Sequence, residues 1–341
     1  MTSSPPATPQ LPVLATVWST TVDAPVLAAA FTGLHDDVVV LPSEGAPRVF
    51  DGVTGVEVRR LAEHDGGNLA LAVSKQGLIA TAGCDGRVHG FDARGGVSFS
   101  HRIGTNWVEH LAWNPSGERL AAGCGRQVTV LSIATRDLHR SALFPATVAA
   151  LAWQPEGRYL AVAAYGGAWL LNCDTLLVER HLQLASSLLS LAWSADGHRL
   201  AAGLQGGGMQ VWDLRRMSED PDGWGLNGFE RSVRHLKWHG DTIAASGGLA
   251  TVVLSFDRSG PDSQPPRALH GHPDPVSVLI SRPDGGWITG DTSGGVLLWN
   301  GQTPAAAVLH QSEITALAWH DPELLVIGAT DGTVLAVAWS S

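Results

Sequence analysis

The residues best suited to chemistry in this sequence are a thiol and imidazole set, Cys84, His101 and Cys124. Their donors are of the kind that hold zinc-like ions. No CxxC pair or HExxH segment tightens the spacing, so solvated histidine and single turn cysteines are the simpler description, with no cofactor expected. His64, His272 and His310 recur ahead of apolar strands, while His110 and His235 fall inside such strands and are read as neutral, hydrogen-bonded residues. Gly206–Gly208 resembles a phosphate-binding loop but lacks the Lys-Ser/Thr and the helix that would receive a phosphate. There is also no GxSxG elbow. No residue set supports catalysis. What stands out instead is Trp107, Arg126 and Tyr165, large residues at positions where packing does not require them and of the types that dominate binding hot spots.

The elements that position these residues follow from a repeated phrase, clearest as LLSLAWSADGHRLAAG from Leu188. It returns as VEHLAWNPSGERLAAG from Val108, VAALAWQPEGRYLAVA from Val148, VRHLKWHGDTIAASG from Val233 and ITALAWHDPELLVIG from Ile314. Weaker copies begin at Val26, Asn68 and Val276. Eight copies 38 to 45 residues apart, each too small to bury its own apolar face, describe stacked sheets of one repeat domain. Turns such as Pro115–Gly117, Pro155–Gly157 and Pro283–Gly285 join the first two strands of a copy as hairpins. Five of the thirteen tryptophans (Trp113, Trp153, Trp193, Trp238 and Trp319) hold the same place in the phrase and are core.

The phrase resembles that of the WD-repeat β-propeller family, from about Pro12 to Trp339. Trp212-Asp213 is an intact Trp-Asp, with related endings at Phe50-Asp51, Phe91-Asp92, Cys173-Asp174 and Trp299-Asn300. Gly-His survives at Gly271-His272, and the turn aspartate at Asp85 and Asp331, with Gly206 or Ser293 in that place elsewhere. On this alignment no copy completes the family's His, Ser/Thr, Asp, Trp network. The resemblance implies an all-β propeller of four-stranded antiparallel blades, eight by copy number and seven as the alternative. The last copy supplies three strands, near Ile314–Trp319, Leu324–Ile327 and Val334–Trp339, and the alternating Leu14–Thr20 is expected to complete its sheet and close the ring.

In that architecture the turns leading into first strands and those between second and third strands share one rim, the family's top. Trp107, Arg126 and Tyr165 fall there, joined by Glu109, Arg234, Asp274 and Glu313, which would set charge complementarity. The expectation is a noncatalytic scaffold holding a protein or peptide partner on this rim. The alternative is a metal- or small-ligand-binding propeller linked to metal handling. Two long bottom connections, Arg215–Phe229 and Asp257–Ala268, raise a lesser docking site anchored by Trp224. A net charge of −10 and a pI near 5.7 disfavour nucleic acid and anionic membranes. An odd number of cysteines, three, points to a reducing compartment. No leader or membrane-length apolar run is seen. A cytoplasmic monomer is expected, with residues 1–10 a disordered tail and 11–341 a single domain.

Overall fold

The computed structural model describes residues 11–339 apart from 34–35, 93–94, 259 and 321–323; the expected tail, residues 1–10, lies outside the described residues. The strands sort into seven antiparallel sheets, five of four strands, one of five and one of six. In chain order we number them I (26–60), II (68–102), III (108–140), IV (150–227), V (235–269), VI (276–309) and VII (314–338). Counted as sheets there are seven blades, not the eight expected. The difference lies in sheet IV, which carries two copies of the phrase. Val178–Trp193 runs unbroken from the outer strand of one copy into the first strand of the next. Most other links between copies carry Gly, Pro or Asp (His310–Glu313 is the exception), whereas Ala185–Ser187 has no breaker and stays extended.

Successive first strands touch one another, and Ile314–His320 of sheet VII also touches Val26–Phe31 of sheet I. Second strands are covered on both faces, so Ile79–Gly83 and Arg199–Leu204 are apolar or small nearly throughout instead of alternating. Outer strands such as Val97–Arg102 are half solvated and mix buried with exposed residues.

The repeated tryptophans do more than fill space. The indole N–H of Trp113, Trp153, Trp193 and Trp238 donates to the carbonyl of Ala72, Ala112, Ala152 and Ala192 at 3.2, 2.9, 3.0 and 3.1 Å. Each bond staples a first strand to that of the preceding copy. The Trp193 bond links the two copies inside sheet IV in the same way as the others link separate sheets.

The N-terminal strand spans Ala15–Thr21 and pairs with Thr333–Ala338, completing sheet VII as the sequence led us to expect. Trp18 on it donates to Gly52 O at 2.7 Å and stacks on Phe50 of sheet I at 6.3 Å. Trp18, Val26, Val38, Phe50, Ala316, Val326 and Val334 share one apolar cluster across sheets VII and I.

Candidate interaction rim and histidine networks

Six first strands carry a β-bulge at the second residue of the phrase, among them Val108–Trp113 and Ile314–His320. A bulge turns the unpaired side chain off the ladder. At Glu109 it turns a carboxylate toward a recess of about 770 Å³ at the rim. The walls come from the Ile103–Trp107 segment, the Cys124–Gln127 hairpin turn, Leu143, Thr147 and Cys84. Gly125 sits at φ +57° and lets two residues reverse the chain. Arg126 follows, held by its Nε–H to Phe144 O at 2.7 Å. Trp107 is 57 % exposed and Leu143 67 % exposed. Burial pushes both the Cys84 and Cys124 thiols up, and Cys124 Sγ lies 3.3 Å from Asn106 O. They are protonated thiols rather than poised nucleophiles.

A second recess on the same rim, about 730 Å³, gathers Gly206–Gly207, Arg231, Arg234, His235, Gly247–Gly248, Ser277 and Glu313. The expected rim set therefore splits: Trp107, Glu109 and Arg126 in one recess, Arg234 and Glu313 in the other. Tyr165, 59 % exposed, and the exposed Asp274 line neither. His235 is neutral, its pKa lowered to about 4 by burial and by Lys237 and Arg234, and burial also lowers His110.

At the bottom the two long connections do meet. Arg216 and Gly223 share a pocket with Gly260 and Pro261. Trp224 is not a free anchor there: it begins the outer strand Trp224–Asn227 and packs edge-on against Phe256 at 5.7 Å.

The buried histidines correct the sequence alignment. In sheet VI, His272 Nδ1 lies 2.6 Å from Asp291, its Nε2 lies 2.6 Å from Thr289 Oγ1, and Trp299 Nε1–H donates to Thr289 Oγ1 at 2.7 Å. One proton assignment satisfies every atom: Trp to Thr, Thr to His, His to Asp. The network absent from the alignment is complete here. The aspartate comes from two residues ahead of Ser293, because Asp291 folds back to accept the N–H groups of Ser293 and Gly295. Burial raises the Asp291 pKa, and these donors with His272 more than offset it, leaving it lowered. Sheet II repeats the arrangement with His64, Asp85 and Thr81, but Phe91 replaces the tryptophan. His310 pairs with Asp331 at 2.9 Å. Burial raises the Asp331 pKa, but the Thr333 N–H and hydroxyl and then His310 bring it to about 2.

The metal set expected from sequence does not converge. His101 lies on an outer strand beside Phe99, outside the recess of Cys84 and Cys124. Among the described residues, the group whose donor atoms fall within 4.8 Å of one another is His64, Asp85 and His89. His89 carried no sequence signal; only its contact with His64 marks it.

A family model described as "WD domain, G-beta repeat" matches residues 263–300, the segment that carries the complete network of His272, Thr289, Asp291 and Trp299. The matched repeat and the seven-sheet fold support a WD-repeat β-propeller. Among solved structures, a computationally designed protein, Ika8, superposes with a TM-score of 0.81 at 21 % identity, covering 97 % of this chain and 100 % of its own. That likeness concerns the fold. Propellers with this repeat generally mediate protein interactions, and the fold alone hosts many roles.

Proposed function

We propose that this WD-repeat propeller is a noncatalytic cytoplasmic scaffold, one domain from residue 11 onward, that holds a protein or peptide partner on its top rim. Propellers of this family generally mediate protein interactions, and three free cysteines suit a reducing compartment. One observation carries the reading: the recess where exposed Trp107 stands beside Glu109 and Arg126. An indole on a rigid turn loses little entropy on binding. Glu109 has no ion-pair partner among the described residues, and the whole chain carries −10, so the partner chemistry that fits is an apolar side chain flanked by a basic one. Arg234, Glu313, Tyr165 and Asp274 extend the contact around the rim.

Purified wild type and Trp107→Ala, each used to capture proteins from host lysate, test this. A partner held by wild type should be released more readily at higher salt and be lost with Trp107→Ala at an unchanged unfolding temperature. The same proteins on both would refute it. Metal binding remains as a second reading, and the observation favouring it is the His64, Asp85 and His89 group.

A further inference from the structure

We infer that sheet II holds a binding site for a zinc-like divalent cation formed by His64, Asp85 and His89. The donor atoms lie within 4.8 Å of one another, and no thiolate is among them. Ligands around a tetrahedral zinc, bonded at about 2.0–2.2 Å, stand roughly 3.3 Å apart. His64 Nδ1 is already 3.0 and 3.2 Å from the two Asp85 oxygens. His89 packs its ring against His64, centroids 4.4 Å apart, and is 9 % exposed. Its Nδ1 is buried with no hydrogen-bond partner. An orphaned imidazole nitrogen inside a sheet is destabilising, and an ion would satisfy it.

Sheet VI supplies the internal comparison. There Leu297 stands where sheet II has His89, and Trp299 where it has Phe91, so the His-Asp-Thr network is capped by an indole and offers no third ligand. In sheet II the phenyl ring of Phe91 cannot donate to Thr81, and an imidazole faces the pair instead.

Protons balance. The His64 proton moves from Nδ1, where it faces Asp85, to Nε2, so the proton count is unchanged. Nδ1 and an Asp85 oxygen then bind the ion, His89 adds Nδ1, and water completes the shell. His64 Nε2–H then donates to Thr81 Oγ1, 3.0 Å away, and the threonine hydroxyl turns its own proton aside. That is the outer contact a ligating histidine needs to fix its ring. The Asp85 side chain, 11 % exposed in its turn, is the way in. Burial and then His64 hold His89 at about 4, so it is neutral and able to ligate near pH 7.

The test is titration of EDTA-treated protein, purified without a His tag, with Zn²⁺ by calorimetry and Co²⁺ by visible absorption. Expected are one ion per chain at micromolar affinity or better and a Co²⁺ spectrum without thiolate charge transfer. His89→Leu, which copies sheet VI, should weaken binding by about a hundred-fold or more with the unfolding temperature of the ion-free protein retained. His89→Gln should do the same and serves if the leucine variant misfolds. Cys84→Ser/Cys124→Ser should bind like wild type. No binding at micromolar ion, unchanged affinity in the His89 variants, or loss in the double serine variant would overturn the site. None of these outcomes bears on the rim reading, which the Trp107 experiment tests separately.

Discussion

Replacing Thr289 by valine removes one hydroxyl at nearly constant volume and strikes the hub of the sheet VI network. Thr289 is fully buried and accepts from Trp299 Nε1 at 2.7 Å while donating to His272 Nε2 at 2.6 Å. Valine leaves two polar nitrogens unpaired, on side chains 0 % and 7 % exposed. At about 1–3 kcal/mol per orphaned buried group, the cost is about 2–6 kcal/mol. Sheet II is the built-in control. Thr81→Val orphans only His64 Nε2, because Phe91 has no N–H, so its cost is about 1–3 kcal/mol. The double variant Trp299→Phe/Thr289→Val should lose less than the sum of its single changes, since the phenylalanine removes the donor that valine strands. Urea unfolding with a constant slope reads these differences. Equal costs for Thr289→Val and Thr81→Val, or additivity in the double variant, would refute the proton assignment.

Acid should destabilise the protein through His235. Its folded pKa of about 4 lies below the usual 6.5, so its stabilising effect is whole above pH 6.5 and is lost as pH falls toward 4, amounting to about 3 kcal/mol. His235→Ala should flatten that limb of a thermal-stability profile against pH. Trp193→Phe removes the staple to Ala152 O and should cost about 1–2 kcal/mol, read by urea unfolding. Deleting residues 1–10 should leave the unfolding temperature unchanged. Deleting 1–20 removes Trp18 and most of the strand paired with Thr333–Ala338, and should lower it by many degrees or prevent folding. A normal melt for the longer deletion would show that sheet VII stands without that strand.

The repeat made most of the fold legible. The repeated phrase, with Ala-Trp in four of its eight copies, marked the first strands, and the unassigned alternating run before Val26 marked the strand that completes sheet VII. What escaped the sequence was set by contacts across the chain. Asp291 does the work assigned by alignment to Ser293: the turn spans the same length as in sheet II, but its aspartate stands two residues earlier and folds back, and spacing alone does not show that. Sheet IV fused two copies where Ala185–Ser187 has no breaker and stays extended, although His310–Glu313 also lacks Gly, Pro and Asp and still separates two sheets, so turn signals alone do not show the fusion. His89 lies in the middle of a strand where most copies carry apolar residues, and only the fold sets it against His64. The rim was read residue by residue, so Trp107, Glu109 and Arg126 were found, but not that Arg234 and Glu313 line a separate recess.

The most direct measurement of the scaffold reading is quantitative affinity capture with wild type and Trp107→Ala, paired with thermal unfolding of both. Trp107 is 57 % exposed, so the variant should keep its stability within about 0.5 kcal/mol. The account predicts a partner retained by wild type and reduced at least about ten-fold by the variant, equal to about 1.4 kcal/mol of binding. Identical retention by the two proteins, or a partner lost only together with the fold, would contradict it.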